Sequence, residues 1–221
     1  MDARTKWIPL LALLMGTSVA GASTENDIKD AAKAFALALS KGDATEAKRH
    51  ATSDETTTLM IDTLSPLIIA NNNLRTAAAA RFGQAAAIMI AGDSPGSLMD
   101  DWAKRTDAAI VKIDGETATV ATKEAASNKP APSGPATRPQ ESPPLKLKLE
   151  NNSWKVDFSG IPDAAALKQN STLIAAMARA MNETAEEVRT GKFSTAKDAK
   201  LALDQKQAVI ASHTGARGRG R

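Results

Sequence analysis

Few side chains in this 221-residue chain could do chemistry. It has no cysteine, no tyrosine and only two histidines. Thiolate nucleophiles, disulfide staples and phenol donors are therefore excluded. His213 falls in a terminal segment that no scaffold orients. His50 ends a short helix after Lys48 and Arg49, where the helix dipole favours a charged imidazole. Asp62, flanked by Ile61 and Leu64, and Asp157, between Val156 and Phe158, are the carboxylates set among apolar neighbours. Burial would raise the pKa of either and make it a base near neutrality. Strand alternation, however, puts Asp157 on the face opposite Trp154, and Asp62 is expected on the wet side of its helix. Asp62, Asp157 and His50 are the catalytic candidates, and no nucleophile stands with them: there is no Gly-x-Ser-x-Gly elbow. With no cysteine and no pair of histidines at ligand spacing, no metal is expected, and no cofactor is expected either. Trp102, Trp154 and Phe158 either line an apolar pocket or form ordinary core.

The acids and bases elsewhere read as solvated faces, including Asp100, Asp101, Glu183, Glu186 and Glu187. The formal charge of +3 is uneven. Residues 1–22 carry +1 and Arg217, Arg219 and Arg221 carry +3, leaving −1 for the body. The basic pI is thus a tail effect, and no specific nucleic-acid face is expected. Three arginines alternating with glycine could make only a weak, salt-sensitive contact with an anionic surface.

The elements that must position these groups begin after an export signal. Arg4 and Lys6 form a positive start, Ile8 to Met15 an apolar stretch broken by Pro9, and Ala20 and Ala22 occupy the small positions of an A-x-A cleavage site. Cleavage before Ser23 would give a periplasmic or extracellular chain, and without cysteine it cannot be a lipoprotein. The apolar stretch is about half the roughly 20 residues of a spanning helix, and no later segment is apolar enough to span.

Thr24 and Asp27 form a capping box for a helix carrying Ile28, Ala32, Phe35 and Leu39. Gly42 ends it, and Asp43 caps the short helix that holds His50. Ser53 is expected to cap a third helix that Pro66 ends or kinks, with a further helical pattern running past Gly83 to Ile90. Residues 92–96 read as a loop. The period then becomes two. A loop at Asp114-Gly115 pairs Val111 with Ala118 and Ala109 with Val120. A turn at Asn151-Asn152 pairs Leu149 with Trp154, Leu147 with Val156 and Leu145 with Phe158, all on one face. Residues 127–144, rich in proline and poor in apolar bulk, read as a polyproline-like insert between the two hairpins. Past Gly160, Leu167, Ile174, Met177, Met181, Ala185 and Val188 mark one long helix. Gly191 ends it, Ser194 or Thr195 opens a last one, and a disordered basic tail is expected from Ser212.

The expected class is α+β: N-terminal helices on a curved antiparallel sheet of about four strands, with an added C-terminal helical hairpin. The segments are a signal over 1–22, the α+β domain over 23–160, the helical extension over 161–211 and the tail over 212–221. The opening helix AAKAFALALSKGDATEAKRH, the hairpin VKIDGETATV and the closing NNSWKVD together resemble the cystatin-like cone of the nuclear transport factor 2 superfamily. The resemblance covers roughly Glu25 to Phe158. It departs from the type in its helical first half, its proline-rich insert and its two added helices. It implies a concave sheet over a pocket. That superfamily holds both binding modules and isomerase- or dehydratase-like enzymes with an aspartate base, and this chain lacks the tyrosine such enzymes use. The expected function is a non-enzymatic exported module holding an unknown small ligand or protein partner. The alternative is a small-molecule isomerase or dehydratase with a carboxylate base in an apolar pocket.

Overall fold

The computed structural model describes residues 24–92, 94–122, 144–160 and 164–215. The signal with Ala20 and Ala22, the proline-rich insert up to residue 143, and Arg217, Arg219 and Arg221 lie outside the described residues. The chain is α+β: seven α-helices among the described residues and one four-stranded antiparallel sheet.

Helix α1 (Glu25–Ser40) starts with the expected capping box. The Thr24 hydroxyl accepts the Asp27 N–H at 3.2 Å, and the Asp27 carboxylate accepts the Thr24 N–H at 2.8 Å. Gly42 turns the chain at φ 74° into α2 (Ala44–Arg49), capped by Asp43. At Gly42 the turn also needs the absent side chain, because a Cβ would lie 2.9 Å from the Ser65 carbonyl oxygen. Helix α3 (Glu55–Phe82) is capped by Asp54 rather than Ser53. It spans 28 residues, about 42 Å at 1.5 Å per residue. Pro66 lies inside α3 and does not end it. An interior proline costs about 3 kcal/mol, and burying Ile61, Ile68 and Leu74 on either side returns about 1.5–3 kcal/mol each. Gly83, at φ 87°, does break the helix, and α4 (Gln84–Ala91) follows.

The region read as a loop instead opens α5 (Pro95–Arg105): Ser94 caps it and Pro95 takes the first turn, where a missing N–H costs nothing. A short 3-10 turn, Thr106–Ala108, leads into the sheet. Strands β1 (Ile110–Asp114), β2 (Thr117–Ala121), β3 (Leu145–Glu150) and β4 (Ser153–Val156) form a meander in chain order. The first hairpin pairs Val111 with Val120 and Ile113 with Ala118, two residues from the expected register. Its loop is Gly115-Glu116, with Gly115 at φ 58° in the first position, the place glycine takes in a type II′ turn. Because the shift is even, the same residues keep the same face. The second hairpin has the expected register, Leu147 with Val156 and Leu149 with Trp154. Phe158 lies past the end of β4, its N–H bonded to the Thr57 hydroxyl at 3.0 Å, so it does not pair with Leu145.

Helix α6 (Ala164–Arg189) lies along α3. Lys168 reaches Glu55, Asn182 meets Asn73 and Gly191 meets Arg81, in the same order on both, so the two helices run parallel. Gly191, at φ 78°, reverses the chain into α7 (Ala196–Gly215), opened by Thr195 and Asp198 in a reciprocal cap. This helix extends to Gly215, three residues beyond the expected start of the tail at Ser212.

Two cores result. The first packs α1, α2, α5 and the front of α3 on the sheet, with Phe35, Ile28, Ile61, Ile68, Leu147 and Val156 fully buried. The second lies among the back of α3, α4, α6 and α7 and includes Leu74, Ala78, Ile90, Ala185, Val188 and Leu203.

Candidate functional site

The three candidate catalytic side chains each have a local partner. Asp62, on α3, is half-exposed and pairs with Lys48 of α2 at 2.6 Å. His50 is the C-cap of α2, and its Nε2 lies 3.2 Å from the Glu46 carboxylate one turn earlier. Its carbonyl accepts the Val156 N–H at 2.8 Å, which ties α2 to the sheet edge. Asp157 follows β4, where its carboxylate accepts the Ser159 N–H at 2.8 Å in a turn. These are the bonds of a helix pair, a helix end and a turn, and among the described residues no hydrogen bond or ion pair joins one candidate to another.

The aromatic candidates do come together. Trp102 and Trp154 are 7% and 5% exposed in the first core, and Phe158 packs on its margin with its ring 5.7 Å from that of Phe35. Trp154 leaves its Nε1 buried without a partner, a cost of about 1–3 kcal/mol that the surrounding packing carries. Beside them is a polar latch. The Thr52 hydroxyl donates to the Asp54 carboxylate and lies beside the Thr57 hydroxyl, while the Thr52 N–H donates to the Val156 carbonyl at 2.9 Å, and so the start of α3 is pinned to β4. Burial alone would push the Asp54 carboxyl up, but hydrogen bonds from the Thr52 and Thr57 hydroxyls and the Thr57 and Thr56 amides outweigh it and hold it below the usual range.

A concavity lies elsewhere among the described residues, between α6 and α7, in the helices read from sequence as an addition. It is an open groove of about 610 Å³, within the size range of small-molecule sites. Ala176 and Ala180 of α6 and Ala202 of α7 form its floor, because methyl side chains leave space that larger ones would fill. Phe193 and Val209 add apolar wall. Phe193 is nearly buried, whereas Val209 is 56% exposed, a large apolar side chain left to water. Charged groups stand at the rim. Glu187 receives Lys192 at 2.6 Å and Lys206 at 2.9 Å, and Lys206 also reaches Glu183 at 3.5 Å. The hydrogen bond from Lys192, then that from Lys206, hold the Glu187 carboxyl below the usual carboxylate range against partial burial. Glu187 is therefore a half-buried clasp at the α6–α7 turn rather than the solvated acid expected from sequence. Arg179 also lines the groove and has neither a hydrogen bond nor an ion pair with any described residue.

The sequence carried a trace of this site. Glu183 and Glu187 stand one turn apart, Ala176 and Ala180 share their side of α6, and lysines return on the next segment. What it could not show was that the two helices leave a trough where they meet. Among the described residues no helix is long and apolar enough to cross a membrane, and no acid–histidine group is clustered to hold a metal ion. No protein-family model, curated protein or solved structure matches the chain.

Proposed function

We propose that the chain is an exported binding module that holds an apolar ligand in the α6–α7 groove and does no chemistry on it. One observation carries this reading: the apolar trough is built and open, with its charges gathered at the rim, while Asp62, Asp157 and His50 are each engaged in local structural bonds. The export half rests on the first 22 residues, with their positive start, short apolar stretch and Ala20–Ala22 cleavage pattern. For the sheet half, kinship with the nuclear transport factor 2 superfamily remains part of the proposal, supported by an antiparallel meander packed on α1.

The test of binding uses Nile red, a neutral dye that brightens in apolar surroundings. It should bind the full chain, and Ala176→Trp, which fills the half-buried floor, should weaken binding at least tenfold with unchanged circular dichroism. Equal dye binding by both proteins would overturn the groove assignment. Export is checked by fractionating cells that express the chain: an exported product beginning at Ser23 is expected, and full-length chain retained in the cytosol would refute it.

A further inference from the structure

We propose that the groove takes a single-chain amphiphile with a free carboxylate head, the head on Arg179 and the tail along the alanine floor. This rests on the binding reading above and names the ligand class.

Charge balance is the first argument. Five ionised side chains line the groove: Arg179, Lys192, Lys206, Glu183 and Glu187. The two lysines and two glutamates satisfy one another across the α6–α7 turn. Arg179 is left over, exposed and without a partner among the described residues, so the groove carries one uncompensated positive charge. A guanidinium fork matches a carboxylate in bidentate geometry, and one charge matches a monoanion. A dianionic head would leave the groove negative.

Position is the second argument. Arg179 sits between Ala176 and Ala180 on α6, two turns before Glu187, so the free cation and the clasp stand about 12 Å apart along the helix. Ala180, Ala202 and Phe193 give the groove apolar lining, with Phe193 next in sequence to Lys192 of the clasp. A ligand with its head at Arg179 would lay its tail towards Phe193, under charges that are already paired and do not compete for the head. Val209, standing exposed on the facing helix, would then be covered.

Isothermal titration of the full chain with dodecanoate, below its micelle concentration, tests this. Dodecanoate should bind, and undecyl maltoside, with the same eleven-carbon alkyl tail and a neutral head, should bind at least tenfold more weakly. Decanoate should also be weaker, by up to about 15-fold, since each fully buried methylene is worth about fourfold. Arg179→Gln should cost dodecanoate at least tenfold and leave Nile red unchanged, and Arg179→Lys should recover part of the loss. If Ala176→Trp still excludes Nile red but dodecanoate and the maltoside bind alike, or Arg179→Gln changes nothing, the carboxylate inference fails and the groove survives. If phosphatidylglycerol vesicles bind in an Arg179-dependent way while free dodecanoate does not, the ligand is a lipid surface and the inference also fails. If Ala176→Trp affects neither dye nor dodecanoate, the binding reading itself fails.

Discussion

The two cores are built from different materials on one shared helix. The sheet-backed core relies on bulk: Phe35, Trp102, Trp154, Ile61 and Leu147 fill the space between helices and strands. The all-helical core has less of it: Ala77, Ala78, Ala87, Ala185 and Ala199 make up half of its buried set, and beside Leu74, Ile90, Val188 and Leu203 it holds one buried aromatic, Phe193, where the sheet-backed core has three. A sheet and a helix layer stand about 10 Å apart and need large side chains between them. Helices that touch through alanine can approach closely, and they have little side-chain volume with which to fill any divergence. The groove lies on this all-helical side, where Ala176, Ala180 and Ala202 leave room between α6 and α7.

If bulk supports the first core, removing it should produce the largest effect. Phe35→Ala should cost about 3–5 kcal/mol in urea unfolding, since it leaves a cavity against Phe158 and the sheet. If closeness supports the second, the damaging change there is the opposite one. Ala78→Leu, at a fully buried site, should cost about 1–3 kcal/mol by pushing neighbours apart. Truncating Val188 should do comparatively less than truncating Phe35. A Phe35→Ala protein of unchanged stability, or an Ala78→Leu protein gaining it, would erase the distinction between the two cores.

The same difference explains what could be read from sequence. Alternation is a strong signal where each strand has one wet face, so Leu147, Leu149, Trp154 and Val156 declared their face and register. The first hairpin kept its face but slipped by two, because Asp114-Gly115 and Gly115-Glu116 are both acceptable turns and the outcome depends on the β2–β3 pairing of Ala118 with Leu147. Caps at Thr24, Asp43 and Thr195 were legible because they are local. The unbroken α3 was not. Pro66 is a local stop signal, overridden by burial of Ile61 and Ile68 against one core and Leu74 against the other. Helix α5 was missed although Ser94-Pro95 is a helix start, since the preceding glycine and aspartate speak more strongly for a loop. The groove was least legible. Alanine spacing marks a face that can pack, and only the tertiary arrangement decides whether that face is covered or left as a trough.

Acid should weaken both halves, through different carboxylates. Asp54 holds the start of α3 on the sheet side, and Glu187 clasps the α6–α7 turn. Both have folded-state pKa values lowered below those of the unfolded chain. A lowered folded pKa gives stability that is present above the unfolded pKa and lost as pH falls through the folded one. Thermal stability should therefore decline from about pH 5 towards pH 3. Glu187→Gln should remove part of that decline and expose the Lys192 and Lys206 ends to repulsion. Asp54→Ala should cost about 1–2 kcal/mol near neutrality as a lost cap. A melting temperature that stays flat over this range would show that neither carboxylate is held as its bonds imply.

The smallest effect is expected at Asp62. Its ion pair with Lys48 joins α2 to α3 at half-exposed positions, where pairing is screened and side-chain entropy offsets most of the attraction. Asp62→Ala should change stability by less than about 0.5 kcal/mol. It should also leave ligand binding in the groove unchanged, since Asp62 lies on the sheet-side half of α3 and the groove is made by α6 and α7. The measurement matters because Asp62 is the acid that a catalytic reading would choose first. Loss of a turnover activity in Asp62→Ala, without loss of fold, would move the functional centre back to the sheet side and make the groove an accident of alanine packing. An inert substitution there, beside a groove that responds to Ala176→Trp, would place the function in the all-helical half.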